Sequence, residues 1–396
     1  RFCSESPKSF SSDAGYSYVC SLRVCVFIFH CHPCWRNRCL GPGAQAGNVG
    51  IRIIGGRGGD FGELNECDNR WDYDIDLAMT KVNRNKGLPF SAELFQDIRI
   101  NKSAIEQRAG TFNKRRSIKK NHQAAWLLKA ISCIDLTTLS GDDTPAKVRR
   151  LCAKAAQPLR SDLEQELGIE DLSLRTGAVC VYHNMIPHAV TALAGSGIPV
   201  AAVSTGFPAA QIPHRLKMAQ IRDALKLGAT EIDIVISREK VLTGNWRSLY
   251  DEVLAYREAC GKAHLKTILA TGELGTFSNV ARASWVCMMA GADFIKTSTG
   301  KESVNATLPV TLVMLRAIRD YYDRTGFMIG FKPAGGIKKA KEALDYLVLM
   351  KEELGDEWLS PALFRYGASS LLNDIERQLE HHVTGRYSAD YRHPTS

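Results

Sequence analysis

No run of the chain approaches the roughly 18–20 consecutive apolar residues that a membrane-spanning helix needs. The apolar stretch VCVFIF, Val24 to Phe29, is far too short. Arg23 before it and AQA (Ala44 to Ala46) after it trace only a faint signal-peptide outline, with poor flanks, so a cytoplasmic protein is expected. A strong excess of either charge is also missing. A net charge of +9 over 396 residues suits small anionic substrates but does not mark a nucleic-acid binder. The basic cluster NKRRSIKKNH (Asn113 to His122) has no interleaved aromatic residues and reads as a solvated helix face. Metal motifs stop half-made. CHPC (Cys31 to Cys34) supplies one CxxC, without a second CxxC or HxxxH at finger spacing. His183, His188, His214 and His264 do not form a ligand set that spacing supports. Neither a metal nor a cofactor is therefore expected.

What is present divides the chain unevenly. Seven of the 12 cysteines lie within the first 67 residues, whereas Cys133, Cys152, Cys180, Cys260 and Cys287 are scattered through periodic apolar segments. Isolated cysteines of that kind behave as small buried hydrophobes in a reducing compartment. Residues 1–70 are Cys- and Gly-rich without a sustained period of 3.6 or 2, and a disordered or spuriously translated leader is expected there. Residues 71–128 read as a helical extension, with apolar residues at helical spacing in SAIEQRAGTF and QAAWLLKAI. From 129 to 387 a short apolar strand followed by a helical stretch recurs eight times, and 388–396 form a tail. The strand patterns begin at Ser132, Gly177, Pro199, Glu231, His264, Asp293, Ile329 and Leu363. Alternating β and α units imply a parallel sheet with right-handed crossovers. Eight units in about 250 residues predict a (β/α)8 TIM barrel. A doubly wound open sheet is disfavoured: a glycine fingerprint after the first strand is lacking, and polar residues recur inside strands that such a sheet would bury on both faces.

Those polar residues fall on defined faces, because side chains alternate along a strand. In EIDIVIS, Ile232, Ile234 and Ile236 share the face that suits the helices, which sends Glu231, Asp233 and Val235 inward. By the same alternation Lys266 stands opposite Leu265 and Thr267, Lys296 shares a face with Phe294 and Ser298, and Lys332 alternates with Gly330 and Ala334. Three lysines and one aspartate are thus expected to converge inside the barrel. A single aspartate cannot neutralise three buried ammonium groups, each costing several kcal/mol. Neighbouring cations and desolvation should then lower the lysine pKa values, as an imine-forming amine requires. The loops TSTGK (Thr297 to Lys301), PAGGI (Pro333 to Ile337) and GASSLL (Gly367 to Leu372) follow strands six, seven and eight. Their glycines and serines let backbone N–H groups approach an anion, where barrels often bind phosphate.

Together CIDLTTLSGDDT, AVCVY, GATEIDIVI, HLKTILATGEL, DFIKTSTGKE, GFKPAGGI and RYGASSLL resemble the deoxyribose-phosphate aldolase family from about Gln123 to Tyr387. The resemblance implies a class I aldolase acting on a small sugar phosphate and not on nucleic acid or membrane; a homo-oligomer is compatible with it. It makes Lys296 the Schiff-base lysine, Lys332 the second lysine that depresses its pKa, Asp233 the proton carrier and Lys266 the charge partner of Asp233. Asp135 and Thr137 would meet the substrate hydroxyls, and Gly300, Gly335, Gly336, Ser369 and Ser370 would hold the phosphate. The sequence departs from the family pattern at Ala210, where glycine is expected, and at Ser237, where asparagine is common. Some relatives end in a tyrosine that reaches the site, a role assigned here to neither Tyr387 nor Tyr391.

Overall fold

The computed structural model describes residues 82–112 and 117–393; the leader predicted over 1–70 lies outside them. Among the described residues eight parallel strands form one sheet: β1 Ile134–Thr137, β2 Ala178–Val181, β3 Val200–Ser204, β4 Glu231–Val235, β5 His264–Ile268, β6 Phe294–Lys296, β7 Gly330–Lys332 and β8 Tyr366–Ala368. Neighbours follow chain order from β1 to β7, and β8 returns to pair with β1. The remaining seam, β7 to β8, closes through single bridges at Phe331–Phe364 and Ala334–Gly367. The result is the (β/α)8 barrel that the eightfold alternation predicts, with each of the eight strand patterns containing a strand.

Helices lie between the strands and are started by ordinary capping chemistry. Thr144 accepts from Lys147 N at the head of Pro145–Ala156, and Thr276 accepts from Asn279 N at the head of Phe277–Met289. Thr307 does the same for Val310 N, ahead of the helix Leu308–Thr325. Such oxygens satisfy N–H groups that lack an intrahelical partner. Val310, Val313, Met314, Ala317, Ile318 and Tyr321 of the last helix are buried, so its apolar stripe is the core-facing side. Upstream of the barrel, residues 82–100 are irregular apart from the short 3-10 helix Ala92–Leu94, in place of the helix expected there, and are tied down by polar contacts. Asn85 Nδ2 donates to Met288 O (2.7 Å) and Ala292 O (2.9 Å), and Tyr250 Oη donates to Leu88 O (2.8 Å). The helices Lys102–Gly110 and Lys120–Ser132 follow.

At the other end, His393 is buried and bonds Glu380 (2.6 Å) and Ser388 (2.9 Å), fastening the chain after Thr384, while Tyr387 and Tyr391 stay exposed. Cys133, Cys152, Cys180, Cys260 and Cys287 are buried free thiols. Burial pushes Cys133 and Cys152 up to about 11, and Cys260 and Cys287 up to about 12. None of the helices among the described residues is long and apolar enough to cross a membrane.

Candidate active site

The parallel register of β6 and β7 sets Lys296 directly beside Lys332. Both side chains point inward, as do Lys266 from β5 and Asp233 from β4, and all four are buried. Room for these long side chains comes from missing ones. A Cβ on Gly330 would lie 2.4 Å from the Phe294 ring, and one on Gly367 would lie 2.8 Å from the Ala334 methyl and 3.3 Å from Lys332 Cε. Only glycine fits either place.

Asp233 is the hub. Its Oδ2 accepts from Lys296 Nζ and from Lys332 Nζ, each at 2.8 Å, and its Oδ1 lies 3.3 Å from Lys266 Nζ. Lys332 also donates to Asp135 Oδ2 at 2.5 Å. Below this layer Arg365 donates to Asp135 Oδ1 (2.6 Å) and to Glu231 Oε1 (3.1 Å), and Lys266 donates to Glu231. The interior charge balance therefore differs from three lysines against one aspartate. Asp135 and Glu231 also face inward and Arg365 joins the cations, so four cations meet three carboxylates. One positive charge remains in excess.

The surplus is not shared equally, which corrects the expectation that the lysines depress one another alike. Burial pulls the Lys332 pKa down, but Asp135 and Asp233 more than offset this and raise it. Burial acts likewise on Lys266, and Asp233, Glu231 and Asp135 raise it overall. Lys296 has a single carboxylate partner, and that partner is shared. Its pKa is lowered, by burial first and by the Lys332 charge, against the pull of Asp233. The hydrogen bond from Lys296 to Asp233 does not fix its charge, since a neutral amine donates as well as an ammonium. Burial opposes ionisation of Asp233, but Lys266, Lys296 and Lys332 hold its pKa well below the usual carboxylate range.

Lys296 opens onto a cavity of about 410 Å³ at the C-terminal ends of the strands. Thr137, Gly300, Gly335, Gly336, Ser369 and Ser370 all line it, so the predicted phosphate contacts and one of the two predicted hydroxyl contacts share a cavity with Lys296, whereas Asp135, the other, is buried and does not line it. Gly335 and Gly336 adopt φ of +79° and +85°, a region that favours glycine. Ser370 heads the helix Leu371–Thr384 without capping it through its side chain. One predicted contact is already engaged: Gly300 N donates to Glu302 Oε2 at 3.1 Å, and the same carboxylate accepts from Thr299 N. Three further cations, Lys147, Lys301 and Lys338, line the cavity. The opposite interior wall is apolar, built from Cys180, Ala201 and Val203, with Val235, Ile268 and Ala210 meeting Phe207. Ala210 has φ +58°, which accounts for the expectation of glycine there. Among the described residues, groups of three or more His, Cys, Asp or Glu side chains able to hold a metal are absent.

The sequence profile described as DeoC/LacD family aldolase matches residues 129–377. The chain belongs to the DeoC/LacD aldolase family. The aldolase is 59% identical over 313 residues to the deoxyribose-phosphate aldolase of Mus musculus, covering 78% of this chain and 98% of that one. It is 58% identical over 314 residues to the deoxyribose-phosphate aldolase of Homo sapiens, covering 79% and 99%. The tetrameric deoxyribose phosphate aldolase of Aeropyrum pernix aligns in three dimensions with a TM-score of 0.50 at 20% identity, covering 70% of this chain and 97% of that one, a likeness of fold alone.

Five charged residues of the aldolase's interior and cavity, Glu231, Arg365, Lys147, Lys301 and Lys338, have no role assigned from sequence. Glu231 was placed inward by alternation but given no role. Lys301 and Arg365 lie inside the motifs TSTGK and RYGASS, where a cation beside an anion-binding loop or at the foot of a strand is the available signal. Lys147 carries no such signal, because its route to the cavity depends on where its helix packs.

Proposed function

We propose that the chain is a class I aldolase that reversibly cleaves 2-deoxy-D-ribose 5-phosphate to D-glyceraldehyde 3-phosphate and acetaldehyde, with Lys296 as the imine-forming amine. The observation that carries this reading is the unequal sharing of carboxylates. Lys296 is the cation with the least compensation, it is the one with a lowered pKa, and it faces the cavity. A lowered lysine pKa raises the fraction of the amine that is neutral, and so nucleophilic, near neutral pH.

The chemistry follows from that amine. Neutral Lys296 attacks C1 of the open-chain aldehyde, and the carbinolamine loses water to give a protonated imine. Asp233, ionised and hydrogen-bonded to both lysines, moves the protons of these steps, through a water where it does not reach directly. The C3 hydroxyl gives up its proton, the C2–C3 bond breaks, and its electron pair flows into the imine to leave an enamine on the two-carbon fragment. D-glyceraldehyde 3-phosphate departs. Protonation of the enamine carbon and hydrolysis of the imine release acetaldehyde and restore Lys296. Lys332 stays charged between Asp135 and Asp233 and supplies the nearby cation that, added to burial, lowers the Lys296 pKa. The phosphate, held by the glycine loops and the N–H groups at Ser369 and Ser370, is remote from the breaking bond, so its binding energy can serve positioning. The enzyme works in the cytoplasm, and a homo-oligomer is compatible with the reading.

The test is reductive trapping. Borohydride with acetaldehyde should leave a two-carbon adduct that mass mapping places on Lys296. An adduct on Lys332 would exchange the two lysine roles, and no adduct would remove the imine mechanism.

A further inference from the structure

Beneath the catalytic layer lies a second tier of charge that the mechanism does not use. Glu231 is two residues before Asp233 on β4 and shares its inward face, while Arg365 immediately precedes β8. Both are buried, and both also line a separate cavity of about 720 Å³ at the N-terminal mouth of the barrel, so they stand between the two ends of the interior. Arg365 spans the barrel: one nitrogen donates to Asp135 Oδ1 at 2.6 Å and the other to Glu231 Oε1 at 3.1 Å. Each carboxylate turns its other oxygen to a lysine. Asp135 Oδ2 accepts from Lys332 and Glu231 Oε2 accepts from Lys266.

We infer that Arg365 and Glu231 are positioning residues that set the charge balance at Lys296, by aiming Asp135 at Lys332 and holding Lys266 beneath Asp233, so that Lys296 is the cation left with the smallest share of negative charge. This rests on the Schiff-base reading above. The alternative is a plain structural ion pair. Buried pairs, however, contribute little net stability compared with apolar replacements of similar size. This pair is wired to the two lysines that keep their protons and not to the one that must lose it. The ionisable groups that bear on Lys296 are Asp233, Lys332 and Cys180, with Lys266 and Asp135 one contact further away. Lys147, Lys301 and Lys338 face it only across the cavity. Within this set, removing a distant positive charge favours the charged form of Lys296 and removing a distant negative charge disfavours it.

The prediction is a pair of opposite shifts in the acid limb of the pH profile of kcat/KM. The trapping experiment comes first, on the unsubstituted enzyme. Absence of the Lys296 adduct would overturn the Schiff-base reading itself. With the adduct present, Arg365→Gln should move the acid limb to higher pH and Glu231→Gln to lower pH, each by about half to one unit, and Arg365→Lys should restore most of the Arg365→Gln shift. Limbs that stay in place, or move in the same direction, overturn this inference while leaving the nucleophile intact. Should Arg365→Gln fail to fold, the isosteric Glu231→Gln carries the test alone, and a downward shift is the supporting result. Failure of both to fold would make the pair a stability element and also overturn it.

Discussion

The two sides of the barrel interior differ in how much freedom they leave their residues. On the side supplied by β1 and by β4 to β8, charges interlock and glycines adjoin them; Gly330 and Gly367 cannot accept a methyl group without meeting Phe294 or Ala334. On the side of β2 and β3, Cys180, Ala201 and Val203 make a wall without charge, backed by Leu139, Tyr182 and Phe207. In the proposed mechanism the first side sets protonation and holds the phosphate, where small displacements change the chemistry. The second only has to exclude water and fill space, which several combinations of apolar side chains can do.

Substitutions test that contrast. The largest effect is expected at Lys296→Ala: loss of the borohydride adduct and a fall in kcat of roughly 10⁵ or more, the scale of removing a covalent nucleophile. Cleavage by this variant at a rate close to that of the unsubstituted enzyme would place the nucleophile elsewhere. Asp233→Asn comes next, with kcat down by about 10²–10⁴, as for loss of a general acid–base group. Since the amide also cancels one negative charge beside Lys296, binding of an unreactive sugar phosphate should change far less than kcat. Lys332→Met takes a cation away from Lys296, so the amine becomes easier to protonate. Activity requires the neutral amine, so the acid limb of kcat/KM should rise by about one pH unit. A limb that falls would mean that Lys332 does not act through charge.

Gly335→Ala moves the test to the rim. Its φ of +79° and an added Cβ 2.7 Å from Asn305 impose strain of about 1–3 kcal/mol. KM for the phosphorylated substrate should rise about tenfold or more, while KM for 2-deoxyribose, which lacks the phosphate, should change little. The smallest effect is expected at Ala210→Gly beside the apolar wall. Relief of a left-handed alanine should raise stability by up to about 1 kcal/mol, read as a higher Tm with kcat nearly unchanged. A large loss of activity there would erase the distinction between the two sides.

How much of this was legible in sequence depended on the range of the interactions. Period-two alternation within single strands was enough to send Asp233, Lys266, Lys296 and Lys332 inward, because the isoleucines of β4 and the leucines of β5 claim the helix-facing side. Alternation carries no information about which strands meet across the barrel. Asp135 and Lys332 are 197 residues apart and Glu231 and Arg365 are 134 apart, so which carboxylate pairs with which cation emerges only once the ring closes. The Gly300 contact failed to be legible for a different reason. Glu302 is two residues away, but whether its carboxylate turns back onto the loop N–H groups depends on backbone angles that the loop composition leaves open.

The five buried thiols give the barrel an internal clock. With burial holding their ionisation back and no disulfide joining them, a thiol reagent can reach Cys133, Cys152, Cys180, Cys260 and Cys287 only when the walls part. Their rate of modification, followed position by position by mass spectrometry, would therefore time how often each sector of the ring comes open, from Cys133 beside β1 to Cys287 on the helix ahead of β6.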